Sequence, residues 1–279
     1  MQIKIYAFCA IFCLSGYSQT LWSWVVKDFQ VLMRTHGEVS FAPYVQGEFE
    51  KFEVNPGYRS NFHAYVDFFE WKGFISNWLI ANTTIIENNP ETGLTLDKIK
   101  YTLTPGYRIE FKEHLISGLL LHECIHTISK PEKEGAVWWN SFQIGFGSNG
   151  AYPRFLLDTY RRGSKQRFPD FDYSFNVGAF LYGDQSKWIQ QNHDYRYEYF
   201  HKMRLHLGKI KSWGFYSDYD HHTWRNSREQ FQNKMSIDFN ILLNGIENLA
   251  SVFYKYTFYD TFSKDNQDGL GAMGFKIVF

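Results

Sequence analysis

Three cysteines, seven prolines and no long apolar run set the first limits on this 279-residue chain. Cys9 and Cys13 fall at the very start, so Cys124 is the lone thiol of everything that follows. A lone thiol excludes an internal disulfide there. Charge excess is missing as well: 29 basic residues face 29 acidic ones, which leaves no electrostatic footprint for a nucleic-acid partner. No stretch reaches the length that a helical membrane span needs, and there is no internal repeat or low-complexity tract. Aromatic residues are what the chain has in plenty, at 20% of the total against a mean hydropathy of −0.39. That pairing is odd for a soluble globule. It suits a membrane β-barrel with aromatic girdles outside and polar side chains within.

The start, Met1 to Ser18, holds one Lys, a short apolar run over Ile5–Leu14 and the small residues Gly16 and Ser18. It reads as a secretory signal, too short to span a bilayer, with an N-terminal anchor as the alternative. Residues 19–36 are expected to form a short periplasmic or plug segment, and residues 37–279 the barrel.

Period-2 alternation carries the fold assignment, which is all-β: a transmembrane antiparallel barrel of about twelve strands. Phe171, Tyr173, Phe175, Val177, Ala179 and Leu181 share one face against Asp172, Ser174, Asn176 and Gly178. Tyr195, Tyr197, Tyr199, Met203, Leu205 and Leu207 oppose Arg196, Glu198, Lys202, Arg204 and His206 in the same way. Strands this long, charged on the second face, suit apolar-out, polar-in spans. The pattern predicts strands at 37–50, 60–71, 74–86, 99–112, 114–127, 136–147, 170–182, 195–208, 211–225, 230–244, 248–262 and 268–279. Tight turns are expected at 71–73, 112–114, 208–210 and 245–248, alternating with longer polar loops, so short turns and both termini fall in the periplasm. The connection 148–169 breaks this rhythm and suggests either a small periplasmic helix near Arg154–Arg162 or a miscounted strand. Arg108, Glu110, Arg196, Glu198 and Arg204 are expected to fill the lumen with ion pairs. Trp78, Trp138, Trp139, Trp213 and Trp224 are assigned to the girdles. The basic run Arg161, Arg162, Lys165 and Arg167 reads as a solvated loop face.

The last strand alternates Met273, Phe275, Ile277 and Phe279. An apolar residue at every second place, ending on an aromatic terminus, resembles the C-terminal assembly signal of bacterial outer-membrane β-barrels. The resemblance implies an outer-membrane location and delivery through the barrel assembly machinery.

One constellation offers chemistry: His122-Glu123-Cys124-Ile125-His126. On a helix it would be His-Glu-x-x-His, two zinc ligands and a base. The preceding Ile116–Leu121 has no N-cap and lies between strand patterns. On a strand the two histidines stand roughly 13 Å apart at about 3.3 Å per residue, too far to share a metal. No metal or cofactor is then expected. Parity places Leu119, Leu121 and Ile125 toward lipid and the His-Cys-His face toward the lumen.

His122-x-Cys124 near the outer rim resembles the His-x-Ser of outer-membrane acyl hydrolases, the lipid A deacylases and outer-membrane phospholipase A. The resemblance implies His as base and Cys124 in the place of the nucleophilic Ser, with outer-membrane lipid or lipopolysaccharide as substrate. A neighbouring imidazole favours the thiolate, and a third group must orient it. Asn140 or Ser141 on the next strand can do so, a one-residue register slip deciding which, and Glu134 is a further candidate. Lys130 and Lys133 in the adjoining loop are placed to meet lipid phosphates. Two other readings stand beside this one: a non-enzymatic structural barrel or narrow pore with His122, Cys124 and His126 in an interior hydrogen-bond network, and the zinc site.

Overall fold

The computed structural model describes residues 28–47, 56–89, 93–128, 136–151, 153–160, 168–181, 190–191, 195–244, 249–262 and 267–279. In chain order the strands are β1 (Phe29–Gln46), β2 (Pro56–Trp71), β3 (Phe74–Asn89), β4 (Gly93–Phe111), β5 (His114–Thr127), β6 (Ala136–Ser148) and β7 (Asp170–Phe180). They continue with β8 (Gln190–Gln191), β9 (Tyr195–Ile210), β10 (Trp213–Asn226), β11 (Phe231–Asn244), β12 (Leu249–Asp260) and β13 (Gly271–Val278). β8 is a two-residue ladder on β6. The other twelve form a closed antiparallel ring, in the order β5-β4-β3-β2-β1-β13-β12-β11-β10-β9-β7-β6 and back to β5.

These are the twelve strands expected from the alternation, with shifted ends. β1 begins at Phe29, not at residue 37, because Phe29 continues the ladder opposite Trp71. β4 begins at Gly93, opposite Asn89, not at residue 99. The turn expected at 208–210 lies instead at Lys211–Ser212. Three of the two-residue turns open on a lysine in the left-handed region, Lys72, Lys112 and Lys211, with φ of 51°, 55° and 56°. Residues 1–27, Lys130, Lys133, Glu134 and the basic run at 161–167 lie outside the described residues.

The expected outward set is exposed: Phe175, Val177, Tyr197, Tyr199, Met203, Leu205, Phe275 and Ile277 all face out. Tyr195 is the exception. A register shift between Arg225 and Asn226 turns it into the lumen. At the closing seam Gly37 and Phe279 exchange backbone hydrogen bonds of 2.8 and 2.9 Å, and the Phe279 ring packs on Phe62 at 6.4 Å.

Inside, charge is paired rather than solvated. Arg108 holds Asp67 through two bonds of 2.6 and 2.7 Å and reaches Glu110 at 2.8 Å. Arg204 holds Asp218 at 2.7 and 2.9 Å, and Lys202 adds a third contact to Asp218 at 2.9 Å. A cavity of about 500 Å³ remains among Glu38, Lys100, Lys202, Asp220, Asp238 and Lys276. Above it, toward the long loops, Ile125, Trp139, Phe180, Tyr195, Trp224 and Phe262 form an aromatic layer. Trp139 and Trp224 are therefore lumenal and not girdle residues, whereas Trp78 and Trp213 do face outward.

The long connection after β6 holds a 3-10 turn (Asn149–Ala151) and a helix, α1 (Pro153–Tyr160). Leu156 and Tyr160 pack on Tyr216, Leu242, Leu249 and Val278, inside the periplasmic mouth. The Tyr160 hydroxyl donates to the Phe215 carbonyl at 2.9 Å, and burial pushes its pKa up, so it stays a donor. Position 214 must be glycine, since a Cβ there would overlap the Tyr160 ring. The helix thus stoppers the end where the tight turns lie.

Candidate functional site

β5 is a strand over its whole length, so His122 and His126 do not share a helical face, and the zinc-hydrolase geometry is overturned. Its two faces are also the reverse of the parity expectation. Ile116 and Leu120 are exposed on the outer wall, and His122, Cys124 and His126 follow them at every second residue. Leu115, Ser117, Leu119, Leu121 and Glu123 line the lumenal cavity. The reason is that the lumen is apolar on this side: Leu119 packs on Tyr65 and Leu79, and Ile125 sits in the aromatic layer. Counting apolar residues could not separate such a lumen from lipid. The His-Cys-His face looks into the bilayer.

Register decides the neighbours. β6 sets Asn140 opposite His122 and Trp138 opposite Cys124, while β4 sets Tyr101 opposite Cys124. Asn140 Oδ1 lies 2.9 Å from His122 Nδ1. An amide oxygen only accepts, so Nδ1 carries the proton and Nε2 keeps its lone pair. Ser141 pairs with Leu121 and points the other way, fully buried in the lumen, where its hydroxyl donates to Glu198. Of the two candidate orienting groups, Asn140 alone shares the wall with His122.

Cys124 touches the other imidazole. Its Sγ is 3.0 Å from His126 Nε2, and the Tyr101 hydroxyl is 2.7 Å from the same nitrogen. The Tyr101 ring stacks on His126 with centroids 5.3 Å apart and planes 18° from parallel. Neutral Nε2 has one lone pair, so the phenol and the thiol compete for it. Once Nε2 is protonated, its N–H can be given to a thiolate instead. Between Tyr101 and Trp138 the thiol is only 5% exposed. Reasoning from the sequence missed Tyr101, although the two-residue turn at Lys112–Glu113 sets it opposite Cys124.

The ladder is broken beside this group. Pro105 has no N–H to give, and no residue from Leu103 to Pro105 pairs with β5. The His122 N–H instead donates to the Thr104 hydroxyl at 3.3 Å. His122, Cys124, His126 and Asn140 sit toward the loop ends of β5 and β6, the outer rim, and Tyr101 lies level with Cys124 on the longer β4.

Comparison with solved structures agrees on the fold. A Salmonella typhi outer membrane phospholipase, solved as a dimer with bound calcium, superposes with a TM-score of 0.52 at 7% identity, over 90% of this chain and 92% of that one. Outer membrane phospholipase A from Escherichia coli gives 0.49 at 8% identity, over 90% and 91%. No family profile and no curated protein matches the sequence.

The fold is that of a bacterial outer-membrane β-barrel. The protein resides in that membrane, and its two imidazoles, carboxamide and phenol lie on the outer wall of the barrel, not in its lumen, with the thiol tucked between Tyr101 and Trp138.

Proposed function

We propose that this protein is an outer-leaflet acyl-ester hydrolase with Cys124 as nucleophile, acting on lipid A or phospholipid. The observation that carries this reading is the His122–Asn140 hydrogen bond, 2.9 Å, beside a thiol in contact with His126, all on the lipid-facing wall at the outer rim. An acyl ester in the outer leaflet reaches such a group without leaving the membrane. His126 takes the thiol proton, and Sγ attacks the ester carbonyl. His126 returns that proton to the leaving alcohol; His122, its Nδ1 anchored by Asn140, then takes a proton at Nε2 from the water that cleaves the thioester and passes it to the departing thiolate. Tyr101 holds the His126 ring flat against β4. The resemblance to outer-membrane acyl hydrolases supports Cys124 in the place of Ser, with the base moved from His122 to His126, the imidazole that Sγ touches.

A pore is the less favoured reading, because α1 fills the periplasmic mouth and the lumenal charges are paired. The test is mass spectrometry of lipid A and phospholipids from cells producing wild type, Cys124→Ala, Cys124→Ser and His122→Ala. Wild type should remove an acyl chain, the two alanine variants should not, and Cys124→Ser should retain part of the activity. An unchanged acyl number with correctly folded wild type would overturn the proposal.

A further inference from the structure

Four strands round the ring from β5, the outer wall carries a second polar group, on β9, β10 and β11. Cross-strand register sets it out in three rows: His201, His221 and Met235; then Tyr199, Thr223 and Asn233; then Tyr197, Arg225 and Phe231. Parity fixes the direction. Tyr216, Asp218 and Trp224 are the buried, lumenal residues of β10, and Tyr197, Tyr199 and Phe231 are exposed flankers of the outward set. The rows climb toward the Asn226–Gln230 hairpin, the outer rim. Below them the flanking columns turn apolar, with Met203, Leu205, Ile237 and Phe239, and the β10 column between them continues as Tyr219, Ser217 and Phe215.

The polar side chains engage one another. The Thr223 hydroxyl donates to Asn233 Oδ1 at 2.7 Å, and His221 Nε2 lies 3.0 Å from that hydroxyl and 3.2 Å from the same Oδ1. His201 packs edge-on against His221, with centroids 4.9 Å apart and planes at 82°. Arg225 pairs with the exposed Glu229 at 2.9 Å and lies over the Phe231 ring at 5.7 Å. Polar groups on a lipid-facing wall cost folding free energy, the more so the deeper they sit. This cluster is unlike the Thr- and Asn-free columns below it, and nothing in the lumen needs it. Four residues of strand at about 3.3 Å each carry the column about 13 Å from His221 to Arg225. Counted from Trp213 on strands tilted about 40°, His221 stands about 20 Å and Arg225 about 30 Å above the periplasmic turn, on either side of the upper edge of an apolar band about 25 Å tall, imidazole and hydroxyl below, guanidinium above.

We propose that this face binds a phosphate-bearing lipid of the outer leaflet, its phosphate against Arg225 and its ester and hydroxyl oxygens against His221, Thr223 and His201. A guanidinium beside an aromatic ring suits a phosphate, and the aromatic flank suits the acyl stems. The inference rests on the outer wall alone and does not depend on the thiol chemistry.

The test is native mass spectrometry of the full barrel in detergent, incubated in turn with phosphatidylglycerol, lipid A, diacylglycerol and inorganic phosphate. Wild type should retain one of the phosphorylated lipids at least fivefold better than diacylglycerol, and the one retained names the source. Arg225→Gln and the pair His201→Phe with His221→Phe should each lose at least fivefold of that retention while staying heat-modifiable on gels. Thr223→Val with Asn233→Leu guards against variants that fail to fold, since apolar groups suit this wall. It should unfold at higher urea than wild type and still lose the lipid. Retention unchanged in these variants, equal retention of diacylglycerol, or phosphate held without lipid would overturn the proposal. So would a lower urea midpoint for the valine–leucine variant, which would mark the cluster as structural.

Discussion

Phe175→Arg should destabilise the inserted barrel severely, and Asn176→Arg should not. Phe175 is 47% exposed on the outer wall, five residues into β7, whose first residue, Asp170, sits at the periplasmic end. Five residues at about 3.3 Å, on strands tilted about 40°, raise it about 13 Å into an apolar band about 25 Å tall. That is the midplane, where an outward Arg costs about 2–4 kcal/mol. With tenfold per 1.4 kcal/mol, the folding constant should drop between about thirtyfold and several hundredfold. Asn176 lines the lumenal cavity of about 500 Å³, whose walls also carry Glu38 and Asp220, so an arginine there enters a polar space and meets no hydrocarbon. Urea titration of refolding into phospholipid vesicles, followed by tryptophan fluorescence and heat-modifiability, reads the difference directly. Equal losses at the two positions would refute the assignment of faces on β7.

Removing Phe279 deletes both seam hydrogen bonds to Gly37 and the packing on Phe62, so inserted, heat-modifiable protein should fall steeply while synthesis and export continue. Such a loss would also support engagement of the barrel assembly machinery through this strand. Arg204→Met strands Asp218 in the lumen with only Lys202 beside it, for a loss of about 3–5 kcal/mol, toward the lower end because one cation remains. Equilibrium unfolding should show Arg204→Met with Asp218→Leu recovering most of that loss. Alkylation of Cys124 should slow more in His126→Ala than in His122→Ala, since of the two imidazoles only His126 touches Sγ, and should slow in Tyr101→Phe as well, which removes a hydroxyl that hydrogen-bonds the sulfur. The reverse order of the two histidine variants would make His122 the thiol's partner.

The barrel was legible because a wall between lipid and a charged lumen writes itself as alternation. β7 and β9 show it cleanly: Phe175 and Val177 face out, Glu198 and Arg204 face in. The start of β1 was not legible. Met33 takes a left-handed φ of 48° and the register slips between Val31 and Arg34, so the alternation breaks before residue 37. β5 misled for another reason. Its lumenal neighbours are Tyr65, Leu79 and the aromatic layer, so lipid and interior present the same hydrophobicity, and polarity ceases to report direction. Trp139 and Trp224 were misassigned for the same cause. The His122–Asn140 pairing needed only the register between β5 and β6, which a long loop does not fix. Tyr101 was within reach, because a two-residue turn does fix it.

The seam between β1 and β13 joins the two extremes of the chain. Every other wall contact in the ring links strands that follow closely in sequence, apart from the step across the two-residue β8. A chain that emerges amino end first therefore presents β1, one half of the seam, well before β13, the other half. Until then the growing sheet has an edge with nothing to close on, and the entropy of bringing such distant segments together is met all at once. Closing the ring therefore waits on β13, the strand that alone among the described residues pairs with the free edge of β1.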